Sequence, residues 1–291
     1  MKQILFDLSG RGRIKVTGED RARLLHAMTT NHVQDLQPGQ GHYAFFLNAQ
    51  GRIQADVYIL CFPDHFLLDT EPDTRLTVYE HLDRFIIADD VTLDDVTDST
   101  FCLSLDGLGP TFEPYSHTTA DQVTTAAITA TGNRATRYYG PLDKKADLIG
   151  RLEAEGATPG NRGALEMARV RNFFPRFGVD ITAATLPQES QMMHAVHFKK
   201  GCYLGQEIVE RVRSRGHVNR TLMGFTFPGE AAPPAGTVLT DDGKETGEVT
   251  SSVATPEGVF GLAYVRVPHN KPGATVSVDG HSAQLFPPAN V

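Results

Sequence analysis

Beyond Gly216 the chain changes character, and that change limits the architectures open to it. TLMGFTF, GTVLT, GEVTSSV, VFGLAYV and ATVSV are short alternating apolar runs set between glycines and prolines. Such runs read as strands of a small all-β unit, and a barrel is the arrangement they suggest. A boundary near residues 216–220 therefore divides the sequence into a region 1–215 and a C-terminal barrel 216–291. With 291 residues the chain is long enough to bury a separate core in each.

The first region mixes helix and strand signals. GEDRARLLHAMT, Gly18 to Thr29, puts Leu24, Leu25 and Met28 at helical spacing. HYAFFLN, His42 to Asn48, reads as a strand, and AQG is a turn signal after it. RIQADVYIL, Arg52 to Leu60, alternates. Ile53, Ala55, Val57 and Ile59 fall on one face, and Gln54, Asp56 and Tyr58 on the other, so a hairpin is expected. HFLLDT is a further strand. Pro72 to Ile87 is expected as an amphipathic helix with Leu76, Tyr79, Leu82 and Ile86 on its apolar stripe. ADDVTLDDVTDST lacks the spacing of a calcium loop and reads as a solvated strand. Pro110 to Tyr139 is threonine-rich and weakly patterned, and two more helices are expected over Asp143–Glu155 and Asn161–Asn172.

A net charge of −8 argues against a general nucleic-acid or membrane-surface binder. The cysteines are Cys61, Cys102 and Cys202, an odd count at spacings that fit neither a disulfide framework nor a CxxC metal site. The start of the sequence lacks a signal-peptide core, and no apolar run is long enough to span a bilayer. These features lead to the expectation of a soluble, cytoplasmic protein.

KKGCYLGQEIVERVRSRG, Lys199 to Gly216, concentrates the chemistry. Gly201 and Gly205 bracket Cys202 and allow close backbone approach or positive φ. Gln206 to Arg215 reads as a helix, with Glu207 and Arg211 as an i,i+4 pair and Gly216 as its stop. Neighbouring lysines and a helix N-terminus favour thiolate over thiol. The same residues also fit a buried, inert cysteine beside a solvated basic helix. His194 and His197 precede Cys202, but spacing alone does not make a metal site of them.

Lys200 to Glu207, K-G-C-Y-x-G-Q-E, followed by Arg211, resembles the signature of the YgfZ-type proteins. These are folate-binding relatives of the glycine cleavage T-protein that support iron–sulfur enzymes. LLHAMTTNHVQDL resembles the helix-plus-TND segment of that superfamily, and LNAQGRIQAD its L-N-x-x-G-x-I-x-x-D hairpin. GEVTSS and GLAYVR resemble strands of its C-terminal barrel.

The resemblance implies an α+β fold: two interleaved, ferredoxin-like subdomains and a C-terminal β-barrel, in a clover leaf around a central cavity. That cavity would hold tetrahydrofolate or another reduced folate. On the same grounds Asp56 is the expected contact to the reacting folate nitrogen, one aspartate kept where the aminomethyltransferases carry a pair. Their R-L-E segment corresponds to Arg169-Val170-Arg171, so Arg171 stands where the acid is expected. Tyr43, Arg171, Gly201, Tyr203 and Gln206 complete the expected cofactor contacts, with Cys202 and Lys200 as the reactive pair at the cavity mouth.

The function implied is assembly or repair of iron–sulfur enzymes, including tRNA-modifying ones, by a monomer that meets iron–sulfur proteins or cluster carriers without touching nucleic acid. The alternative is a tetrahydrofolate-dependent aminomethyl or one-carbon transferase, with Asp56 as its acid/base group.

Overall fold

The computed structural model of the chain describes residues 3–107 and 113–289. Strand β1 (Ile4–Asp7) is followed by β2 (Gly12–Thr17), helix α1 (Arg21–Met28), β3 (Gly41–Leu47), β4 (Ile53–Cys61) and β5 (Phe66–Thr70). Helix α2 (Arg75–Asp83), β6 (Thr92–Asp95), β7 (Thr100–Asp106), β8 (His117–Ala120), β9 (Val123–Ala126) and β10 (Ala135–Pro141) come next. Then come α3 (Lys145–Ala154), β11 (Thr158–Gly160), α4 (Arg162–Arg171), α5 (Pro187–Ser190) and α6 (Gln206–Arg215). The last strands are β12 (Arg220–Phe227), β13 (Val238–Asp241), β14 (Lys244–Thr255), β15 (Gly258–Arg266), β16 (Thr275–Val278) and β17 (His281–Phe286).

These strands form two sheets and a barrel. The six-stranded sheet has the order β11-β1-β7-β10-β9-β8, and the five-stranded sheet the order β3-β4-β5-β2-β6. The chain starts in the first sheet, leaves it for β2 to β6, and returns at β7, so the two α+β units are interleaved. β12 to β17 close into a barrel around Phe225, Val259, Val265 and Leu285. The expected α+β class with a C-terminal barrel is what the chain adopts. Residues 110–112 of the threonine-rich stretch lie outside the described residues, and the rest of it supplies β8, β9 and most of β10.

The five-stranded sheet is buried on both faces. Ala55, Val57 and Ile59 pack with Leu24 and Leu25 of α1 and with Val78 and Leu82 of α2. Tyr43, Phe45, Tyr58 and Leu60 pack with Cys102 and Tyr139 of the six-stranded sheet. The side of β4 that alternation assigns to solvent is therefore covered by the second sheet, and Asp56 is only 6% exposed. A bulge between Phe46 and Leu47 also moves Ile53 off the face it was expected to share with Ala55, into the cluster with Leu47 and Tyr58.

Two expected helices start where their signals place them, and one apolar stripe is corrected. Asn161 caps α4, its side chain accepting from Ala164 N at 2.9 Å. Pro72 opens the single turn that leads into α2. The buried face of α2 is Val78 and Leu82, whereas Leu76 is 64% exposed. The helix ends at Asp83, too short to bring Leu76 and Ile86 onto one stripe.

The K-G-C-Y-L-G-Q-E loop packs on the β3–β4 hairpin through two glycines. Gly205 has φ +83°, and a Cβ there would lie 2.6 Å from the Asn48 carbonyl oxygen. Gly51 has φ +71°, and a Cβ there would lie 2.8 Å from Ile208 Cβ. Gly205→Ala combines left-handed strain with a backbone clash, so a loss of more than ~2 kcal/mol in urea unfolding is expected.

Candidate functional site

A cavity of about 620 Å³ opens between the two sheets and α4. That volume lies within the roughly 300–1,000 Å³ of pockets that enclose an organic ligand. β3 contributes Tyr43, β4 Asp56 and Tyr58, β10 Arg137, and α4 Glu166 and Arg169. Arg11, just before β2, and Glu71, just after β5, complete the charged part of the wall, and Phe6, Phe174 and Phe177 supply apolar surface.

Behind this wall lies a buried ion network centred on Asp69, which has no exposure. Arg11 Nε donates to its Oδ1 at 2.5 Å, and Arg137 Nη1 to its Oδ2 at 2.8 Å. Tyr139 Oη donates to Oδ2 at 2.6 Å. Burial pushes the Asp69 carboxyl up, but Arg11 and Arg137 outweigh it and hold it at about 2. Arg11 also pairs with Glu71. The Arg137 guanidinium lies over the Tyr58 ring at 4.9 Å, and its Nη2 donates to Thr129 O at 2.9 Å.

Asp56 is treated in the opposite way. Its Oδ2 accepts a hydrogen bond from Tyr43 Oη at 2.9 Å. Its Oδ1 is buried and has no partner. Burial and the nearby Glu71 raise the carboxyl to about 7, with Arg11 and Tyr43 opposing them. Buried side-chain acceptors are normally satisfied, so an orphan oxygen on a cavity wall marks a place for a donor from a ligand or water. Arg11 Nη2 and Arg137 Nε are likewise buried without a partner. The wall thus offers one acceptor that titrates near neutrality beside cationic donors, a pattern suited to a ligand bearing both N–H and C=O groups.

Comparison with known proteins fits this arrangement. Residues 2–139 match the GCVT N-terminal domain, and residues 219–291 match the CAF17 C-terminal beta-barrel domain. An aminomethyltransferase of Halothermothrix orenii is 26% identical, over 94% of this chain and 83% of its own length. The mitochondrial iron-sulfur cluster assembly factor IBA57 homolog of Neurospora crassa is 27% identical, over 91% of this chain and 62% of its own length. The crystal structure of the glycine cleavage system aminomethyltransferase T from Bartonella henselae superposes with a TM-score of 0.89 at 20% identity, over 98% of this chain and 85% of that one. This chain joins a GCVT-type N-terminal domain to a CAF17-type C-terminal barrel.

In this chain the residues singled out from sequence separate into distinct places. Tyr43 and Asp56 line the cavity. Arg171 does not; it pairs with Glu257 at 3.4 Å and approaches the Phe260 ring of the barrel at 5.9 Å. Cys202 is a free, exposed cysteine and is not on the cavity wall, contrary to its expected place at the mouth.

Lys200 is not positioned as a partner for that thiol. It is buried, and its ammonium donates to the carbonyls of His26, Thr29 (2.5 Å) and Asn31 (2.9 Å) at the C-terminal end of α1. Burial pulls this amine down to about 7, and the three carbonyls at the negative end of the helix oppose that pull by stabilising the charge. Tyr203 is in the core with Lys200 Nζ 4.9 Å above its ring, and Gln206 Oε1 accepts from Tyr203 N at 3.2 Å. Gly201 is exposed beside His26, where an added Cβ would lie 3.6 Å from Nε2. The loop therefore joins α1 to the hairpin and presents the Cys202 thiol to solvent. Lys200→Met would strip three buried carbonyls of a charged donor, with an expected loss of about 2–4 kcal/mol in chemical denaturation.

His194 stacks on Tyr43 at 5.4 Å and His197 faces His32 at 5.2 Å. Among the described residues no group of three or more His, Cys, Asp or Glu side chains is placed to hold a metal ion. The residues that sequence reasoning missed are Arg11, Asp69, Glu71, Arg137 and Glu166. A signal existed for two of them: Asp69 follows the apolar FLL of its strand, and Arg137 precedes Tyr138 and Tyr139 in another. A charge inside an apolar strand is expensive unless it is paired.

Proposed function

We propose that this protein binds a reduced folate in the cavity and serves the assembly or repair of iron–sulfur enzymes, presenting Cys202 to its protein partner from outside the folate site. The observation that carries the reading is the orphan Oδ1 of Asp56, a buried acceptor on the cavity wall. A reduced folate fits the residues present. Its ring N–H groups suit the Asp56 carboxylate, its carbonyl suits the unpartnered donors of Arg11 and Arg137, and its flat rings suit the aromatic wall. When bound, tetrahydrofolate supplies nitrogens that carry one-carbon units. The chain's own part is to orient those nitrogens through Asp56, with Tyr43 fixing the carboxyl by its hydrogen bond.

The iron–sulfur role is supported by the CAF17-type barrel and by relatives named as iron–sulfur cluster assembly factors. Iron–sulfur proteins or cluster carriers are the partners this reading implies, in a reducing compartment such as the cytoplasm, where an exposed thiol stays free. Cys202→Ser is expected to leave the thermal midpoint and folate affinity unchanged. In cells it should lower the activity of cluster-dependent enzymes, and full activity in that background would remove the thiol from the function.

A second reading is folate-dependent aminomethyl transfer. The Asp56 carboxyl near 7 favours it, because such a group can both take and give a proton at neutral pH. Incubation with tetrahydrofolate and an aminomethyl donor separates the two, since only a transferase forms methylene-tetrahydrofolate faster than the buffer does.

A further inference from the structure

The face of α4 turned to the cavity carries a second carboxylate with unfilled capacity. Glu166 Oε2 receives Arg169 Nε at 2.8 Å and Arg169 Nη2 at 2.7 Å. Glu166 Oε1 is buried and accepts no hydrogen bond of good geometry. Its neighbour is Arg176 Nη1 at 2.8 Å, an ion-pair contact from a side chain that is 24% exposed.

The two arginines are held differently. Arg169 is 2% exposed, and its Nη1 donates to Asp180 Oδ2 at 2.6 Å and to Phe174 O at 3.3 Å. Asp180 is fully buried, and its Oδ1 accepts from the hydroxyls of Thr250 and Ser251, each at 2.6 Å. Those hydroxyls sit at a bulge in β14, which lets neighbouring side chains reach one acceptor. The barrel thus fixes Asp180, Asp180 fixes Arg169, and Arg169 fixes one oxygen of Glu166. Arg176 has no such backing for its guanidinium, and its alternative is water.

We infer that Glu166 is a binding residue for the cavity's ligand, with its Oε1 taking an N–H of the ligand in place of Arg176. The inference rests on the folate reading above and deepens it: the ligand is a nitrogen heterocycle with separate donors for Asp56 and Glu166.

The test is anaerobic calorimetric titration of the full-length protein with tetrahydrofolate. Glu166→Gln keeps an acceptor for Arg169 and loses the charge, and it is expected to weaken binding at least tenfold. Glu166→Asp keeps the charge and loses reach, and it should weaken binding as well if the Gln variant folds poorly. Arg176→Gln removes the competitor and should bind at least as tightly as the wild type. That opposite sign is a readout a structural ion pair would not give. Equal weakening by Glu166→Gln and Arg176→Gln, or wild-type affinity in Glu166→Gln beside a weakened Asp56→Asn, would overturn the role of Glu166 and leave the folate reading standing. No binding by the wild type would instead overturn the folate reading itself, and this inference with it.

Discussion

Asp69→Ala is expected to cost about 3–5 kcal/mol, enough to unfold a substantial fraction of an ordinary domain at 37 °C. The carboxylate is fully buried and neutralises both Arg11 and Arg137. Removing it leaves the charge of Arg137 without a carboxylate partner, and a buried charge without its counterion is among the costliest defects a core can hold. Acid has the same effect more gradually. Unfolded, the carboxyl titrates near 3.8; folded, near 2. The unfolded chain binds the proton first as pH falls, so the stabilisation is complete above about pH 4 and is lost as pH drops towards 2. Urea midpoints between pH 5 and 2 should fall more steeply in the wild type than in Asp69→Asn, which keeps only the contribution of other carboxylates held low, such as Asp7 and Asp95. An unchanged midpoint in Asp69→Ala would mean that the network carries little of the fold.

Asp56→Asn is expected to act in the opposite direction on stability while weakening ligand binding. The folded carboxyl titrates near 7 and the unfolded one near 3.8. Between those values the folded state holds a proton that the unfolded chain has released, so this group makes stability fall as pH rises from about 4 to 7. The Asn variant escapes that cost. It should be more stable than wild type at pH 8 by at least about 1 kcal/mol, with the gain vanishing towards pH 4.

Binding runs the other way. A ligand N–H needs the ionised carboxylate, so wild-type affinity for tetrahydrofolate should improve about tenfold from pH 6 to pH 8, following the fraction of Asp56 that has ionised. The Asn variant should bind at least tenfold more weakly at pH 8 and lose this slope. A group that lowers stability but serves a ligand is what functional sites commonly carry. Affinity that instead falls from pH 6 to 8 would show that the protonated acid is the binding form.

How much of this could be read in the sequence differs from residue to residue. Barrel strands β12 to β16 and the β3–β4 hairpin follow from local alternation and turn residues and stand where those signals lie, whereas β17 (HSAQLF) has no such signal. Asp56 was legible as a candidate, but its burial was not. Alternation assigns two faces to a strand and cannot say that a second sheet covers the polar-looking one. The Asp69–Arg137 pair joins residues 68 positions apart in sequence, through strands of different sheets, and no local pattern encodes that meeting.

Adjacency in sequence misled at two points. Lys200 and Cys202 are two residues apart, yet one side chain is buried against α1 and the other faces solvent. Arg169 and Arg171 are also two apart, which on a helix is a rotation of about 200°. Arg169 therefore faces the cavity while Arg171 faces the barrel.

The proposed folate site is the cavity around Asp56, and the thiol is not part of it. Anaerobic titration of tetrahydrofolate into the wild type, Cys202→Ser and Asp56→Asn at pH 8 tests it directly. Equal affinities for the first two and at least a tenfold loss for the third are expected. Wild-type affinity in Asp56→Asn, or a loss confined to Cys202→Ser, would contradict it.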